Sequence, residues 1–132
     1  MKFLLDTKVF LWAMSEEHKL NSRAREILRS TDSKLYFSAA SSWEIAIKFA
    51  IGWLPLPRDP SEYIANALSV GAVGALSITH EHALAAGKLP AHHRDPFDRM
   101  LIAQARLERL VMLTGNRVFK AYEVEMIFCG RR

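Results

Sequence analysis

Five short runs of strand-forming residues, at 2–5, 34–37, 75–78, 111–113 and 125–128, are each separated from the next by at least one stretch with helical spacing. Strands that never follow one another directly cannot form hairpins. They pair in parallel through crossovers, and the intervening helices cover both faces of the sheet. The spacing predicts helices over 9–14, from an Asn21 cap to about Ser30, from Ser41 to near Gly52, over 61–70, from a Thr79 cap to about Gly87, and over 97–110, with a helical turn or two over 117–122. Two prolines in Trp53-Leu-Pro-Leu-Pro57 end the third of these. With 132 residues, the chain is expected to form a single domain over 1–132, with no room for a second.

Composition narrows the class. Half the residues are apolar and 24% are charged, which is ordinary for a globular protein and excludes a disordered chain. No run approaches the ~18 apolar residues of a membrane span. The apolar start is interrupted by Asp6 and Lys8 and is followed by no small-residue cleavage site, so it is read as structure rather than as a signal peptide. The single cysteine, Cys129, excludes an internal disulfide framework and a multi-cysteine zinc site, and is read as a small buried hydrophobe in a reducing cytoplasm. A net charge of +4 permits a polyanionic partner without requiring one. Arg94, Arg99, Arg106 and Arg109 bracket one helix, and Arg117, Lys120, Arg131 and Arg132 follow. A solvated face with a floppy basic tail is weighed ahead of a nucleic-acid surface.

Four acids, Asp6, Glu44, Asp95 and Asp98, stand where a strand or loop hands over to a helix. In a parallel sheet such handovers after strands gather at the carboxyl edge, where ligands bind. Each acid also has a structural explanation. Ser41-Ser-Trp-Glu44 fits a capping box, Asp95-Pro96-Phe97-Asp98 fits an N-cap followed by proline and a second acid, and Asp6 fits a cap or turn. The helix from Ser41 argues against the capping box. Most of its side chains are apolar, which leaves Glu44 and Lys48 as a narrow polar stripe that implies a crevice or an ion pair inside the core. Oxygen donors without a cysteine cluster or an H-E-x-x-H motif favour Mg²⁺ or Mn²⁺ over zinc, and a ligand role for His80, His82, His92 or His93 is disfavoured. No phosphate-cradling glycine loop and no G-x-S-x-G elbow occurs. Phe10, Leu11, Trp12 and the Trp53–Pro57 segment are assigned to core packing ahead of an interface.

The segments Phe3-Leu-Leu-Asp-Thr7, Ser42-Trp-Glu-Ile-Ala-Ile-Lys48, 93–105 (HRDPFDRMLIAQA) and Leu113-Thr-Gly-Asn-Arg-Val-Phe119 together resemble PIN-domain ribonuclease toxins of the VapC type, in an order and spacing that span nearly the whole chain. The resemblance implies a three-layer α/β/α PIN-like domain with a central parallel sheet of four to five strands. It implies that Asp6, Glu44 and Asp98 are the metal-binding, catalytic acids of a Mg²⁺- or Mn²⁺-dependent endoribonuclease. It also implies RNA as substrate, a cognate antitoxin as partner, a homodimer and no membrane. At a position where the family commonly carries a further aspartate this chain has Asn116, which removes one negative charge; Asp95 either supplies that charge or caps its helix, with capping favoured. Lys8, Lys48 and Arg99 are the cations expected to contact substrate. The rival reading is a catalytically weakened module of the same architecture that binds RNA or protein.

Overall fold

The structure, a computed structural model, describes residues 1–131; Arg132, counted above with the basic tail, lies outside the described residues. The elements run β1 (Lys2–Leu5), α1 (Thr7–Ser15), α2 (Ser22–Arg29), β2 (Lys34–Ser38), α3 (Ala39–Ala50), α4 (Pro60–Val70), β3 (Gly74–Leu76), α5 (His80–Lys88), α6 (Pro96–Glu108), β4 (Val111–Thr114) and β5 (Met126–Phe128). Tight 3-10 turns at Glu17–Lys19 and Arg117–Ala121 complete the path. The five strands lie in the order β3-β2-β1-β4-β5, and every neighbouring pair is parallel. This is the three-layer parallel architecture expected from the alternation of strands and helices.

Side chains alternate across each strand and so divide the core between the two faces. Phe3, Leu5, Leu35, Phe37, Val111 and Leu113 meet Val9 and Phe10 of α1, Ala24 of α2, Ile45 of α3, and Tyr63 and Ala67 of α4. Leu4 and Met112 point the other way, against Ala40, Leu101, Ile102, Ala105 and Phe119. β1 lies at the centre, which is why three of its four residues are buried apolar side chains.

The structure corrects four expectations. α3 begins two residues earlier than Ser41: Ser38, the last residue of β2, is its N-cap, and its hydroxyl accepts from the Ala40 amide at 3.0 Å. The Ser41–Glu44 capping box is therefore absent, because both residues already lie inside the helix. α3 is also not enclosed by the core. Glu44 is buried, whereas Trp43, Ile47 and Ile51, spaced i, i+4, i+8, are exposed. Trp53 is 76% exposed rather than packed inside, although Leu54 and Leu56 beside it do cover the core. Lastly, the chain as far as Gly130 is fastened rather than a floppy tail. Gly130 bridges antiparallel to Leu20, and the Asn21 side-chain amide donates to the Phe128 and Gly130 carbonyls at 2.9 and 3.2 Å.

Candidate metal-dependent active site

Asp6 is the first residue beyond β1, at the centre of the carboxyl edge. It caps α1: Oδ1 accepts from the Val9 amide at 2.7 Å and Oδ2 from the Gly115 amide at 3.0 Å. Its own amide donates to the Leu113 carbonyl at 2.9 Å, so the residue ties the exits of β1 and β4 together. Burial pushes its pKa up, and hydrogen bonds from Thr114, Val9 and Gly115 oppose that. Gly115 is needed for this approach, because a Cβ there would sit 2.7 Å from the Trp12 ring.

Glu44 reaches the edge from the second turn of α3 and is 6% exposed. The Thr7 hydroxyl donates to its Oε1 at 2.7 Å and the Lys48 amine to its Oε2 at 2.5 Å. Thr7 also lies 2.9 Å from the Ser41 hydroxyl, so the serine read as a cap instead helps to hold the residue next to Asp6. Asp98, in the first turn of α6, is 2.8 Å from His93 Nε2. Burial pushes its carboxyl up to about 6 against the pull of the His93 hydrogen bond, and the charges of Asp95 and Glu44 push the same way as burial. Glu44 and Asp98 are therefore electrostatic neighbours across the ends of α3 and α6, where Trp43 packs edge-on to Phe97 at 5.3 Å between ring centroids.

Asp95 caps α6, its Oδ1 accepting from the Phe97 and Asp98 amides at 2.9 and 3.2 Å. It is also one of a close group: His93, Asp95 and Asp98 each offer a ligand atom within 4.8 Å of the others. His93, set aside by sequence reasoning, is thus brought to the acids by the loop before α6. Thr7, also not singled out, reaches Glu44 because it follows Asp6 directly.

The remaining candidates divide. Lys48 is paired with Glu44 at the site, and Lys8 is exposed on α1 with its amine 5.9 Å from the centroid of the Trp12 ring. Asn116 caps the 3-10 turn after β4, its Oδ1 accepting from the Val118 amide at 3.0 Å. The Arg99 guanidinium turns away from the acids and donates to four carbonyls, of Ala86, Leu89, Pro90 and His93, at 2.8 to 3.2 Å. An arginine so placed fastens the loop that carries His93, and the substrate contact expected of it is not part of this arrangement.

The donors suit an oxygen-seeking divalent cation. They are carboxylates with one imidazole and no thiolate, and burial first, then the charges of Asp95 and Glu44, displace the carboxyl of Asp98 toward its protonated form. A cation held by these residues would favour the charged carboxylates there.

Residues 3–125 match the sequence profile of the PIN domain. Ribonuclease VapC16 of Mycobacterium tuberculosis (strain ATCC 25618 / H37Rv) is 33% identical over 61 residues, 46% of this chain and 43% of that protein, so the match spans less than half of the relative's length. Among solved structures, VapBC2 from Rickettsia felis bound to a DNA fragment from their promoter superposes with a TM-score of 0.74 over 98% of this chain and 99% of that chain, at 14% identity. DNA-bound VapBC from Salmonella typhimurium gives 0.69 over 97% and 98%, at 19% identity. At such identities the structures speak for the fold alone. With a profile match that covers almost the whole chain, this protein belongs to the PIN domain family.

Proposed function

We propose that the chain is a metal-dependent endoribonuclease, the toxin of a toxin–antitoxin pair, which cleaves RNA by attack of an activated water. The observation that carries this reading is Glu44, a carboxylate 6% exposed beside the core residue Ile45 on a helix that leaves Trp43, Ile47 and Ile51 exposed. Burying a carboxylate costs stability that its Thr7 and Lys48 partners offset, and a charged group held there at the carboxyl edge of the sheet supports a site. Asp6, Glu44 and Asp98 would hold a Mg²⁺ or Mn²⁺ ion. When bound, such an ion supplies Lewis-acid activation of water and of a phosphate oxygen.

The chain's own groups do the rest. Thr7 and Lys48 fix the direction of the Glu44 carboxylate, and His93 fixes that of Asp98. Lys48, with its side chain 42% exposed, offers its ammonium to charge developing on the phosphate. Attack by water leaves 5′-phosphate and 3′-hydroxyl ends; a 2′,3′-cyclic phosphate product would show instead that the RNA 2′-hydroxyl was the nucleophile.

Ribonuclease VapC16 and the VapBC complexes support the activity and the antitoxin partner. The exposed Trp43, Ile47, Ile51 and Trp53 support a partner surface for the antitoxin or for a second copy of the chain. The specific observation that favours the rival binding module is Asn116, whose side-chain oxygen is occupied by capping.

Cleavage of total RNA by the purified, partner-free chain with Mn²⁺, Mg²⁺ or EDTA tests the proposal, with Glu44→Gln and Asp6→Asn run alongside. Glutamine still accepts the Thr7 hydroxyl, and asparagine still caps α1. Each variant is expected to lose at least about 100-fold in rate. For Glu44→Gln, a melting temperature within about 4 °C of wild type is expected, because glutamine keeps the Thr7 bond and the Lys48 side chain, 42% exposed, is left to water rather than buried unpaired. Metal-independent cleavage, or full activity in Glu44→Gln, would sink the reading.

A further inference from the structure

Beyond the ends of β4 and β5 the carboxyl edge holds a second feature, a cavity of about 510 Å³ lined by Arg23, Arg117 and Arg131 with no acid in its walls. None of the three arginines has a carboxylate partner among the described residues. Guanidinium groups left unpaired around one cavity repel each other, and an anion relieves that.

The site is built rather than incidental. Arg117 is held over the Phe128 ring, 3.8 Å from its centroid. Arg131 donates from Nε to the Leu20 carbonyl at 3.4 Å. Asn21 fastens the wall: its amide donates to the Cys129 carbonyl at 2.8 Å and its side chain to those of Phe128 and Gly130. The amino end of α2 opens onto the same space through Ser22, adding the positive end of the helix dipole. A cavity of similar size at the opposite edge of the sheet makes the contrast, since there Arg106 and Arg109 share the walls with Glu123 and Glu125.

The cavity lies next to the β4 exit to which Asp6 is tied, and Cys129 between them feels the charges of both Asp6 and Arg23. Arg117 follows Asn116, which caps the turn leaving β4, and Asp6 is bonded to Gly115 one residue earlier. We infer that Arg23, Arg117 and Arg131 form a phosphate grip that holds the backbone of single-stranded RNA one or a few nucleotides from the cleaved bond. This rests on the nuclease reading for its substrate. Arginine suits the role because its planar fork pairs with two phosphate oxygens at once. The grip also accounts for how a cluster of carboxylates, itself repelling to RNA, keeps hold of a polyanion.

The test is fluorescence anisotropy of a labelled single-stranded RNA with the full chain in EDTA, so that binding is read without cleavage, across a KCl series. Arg23→Gln/Arg117→Gln is expected to weaken binding at least tenfold and to reduce the slope of log K against log salt by about 1.4, or ~0.7 for each phosphate no longer neutralised by an arginine. Arg117→Lys keeps the slope and loses only part of the affinity, while Arg106→Gln/Arg109→Gln changes neither. Should the double variant melt early, Arg23→Gln alone carries the test, because the Arg23 side chain makes no hydrogen bond among the described residues.

An unchanged slope overturns the assignment. So does a loss confined to an acidic probe such as polyglutamate, which would give the cavity to a protein segment. The two readings fail separately. Slope loss with no cleavage under any metal leaves the grip standing without the nuclease, and normal cleavage with an unchanged slope does the reverse.

Discussion

Asp98 shows how a side chain's meaning depends on its neighbours. Its carboxyl is pushed up to about 6 from a usual 3.8 by burial, with Asp95 and Glu44 adding to the rise. Between those two values the folded chain binds a proton that the unfolded chain does not. Through this group, stability of the metal-free protein therefore falls as pH rises from about 3.8 to about 6, then levels. Metal affinity runs the opposite way, because a ligand must lose its proton. Calorimetric titration is expected to show Mn²⁺ binding rising by up to about tenfold per pH unit below 6 and flattening above. Asp98→Asn should remove that dependence, and a pH-independent affinity from 5 to 7 in the unaltered chain would contradict it. The identity of the acids could be read from their positions after strands and before helices, but their roles could not. Asp6 and Asp95 do cap helices, as the structural explanation had it, yet Asp95 also lies in a close group with Asp98 and His93, and Asp6 is followed directly by Thr7, which holds Glu44. His93 was missed because a loop residue five positions from Asp98 has no periodicity to betray which way it turns.

α3 and the loop before α6 show the same limit in larger units. A helix of apolar residues with one acid reads as enclosed, but Trp43, Ile47 and Ile51 face outward while Glu44 faces in. Amphipathicity indicates that two faces differ, not which one the core receives, and here the face carrying Ala40, Ser41, Glu44 and Ile45 is buried, with Thr7 of α1 bonded to the acid. The loop over 89–95 is held by Arg99 through its four carbonyl partners, and by the Tyr122 hydroxyl, which donates to Pro90 and His93. Arg99→Gln is expected to cost about 1.5–3 kcal/mol in chemical denaturation, the range for hydrogen bonds that involve a charged group. If Arg99 instead contacted substrate, the variant would keep its stability and lose RNA affinity. Ser38→Ala should cost about 1 kcal/mol, because Ser38 is the cap that starts α3.

Across the domain, stability should decline from the centre of the sheet outward. β1 and β4 are almost wholly buried, whereas β3 and β5 are three-residue edge strands, partly exposed. Native-state hydrogen exchange is expected to find the amides of β1 and β4 opening only with global unfolding, and those of β3 and β5 opening earlier. Equal protection in all five strands would show the sheet to be a single cooperative unit. The alternation of strands with helices was sufficient for the parallel, three-layer arrangement, because chain connectivity and the handedness of crossovers leave few alternatives. The carboxyl-edge position of Asp6 follows from that arrangement alone. The strand order, the outward face of α3, the turning of Arg99 toward carbonyls and the gathering of Arg23, Arg117 and Arg131 around one cavity appeared only in the folded chain. Each depends on residues far apart in sequence competing for the same space or the same hydrogen-bond partner, and local spacing carries no record of which competitor wins.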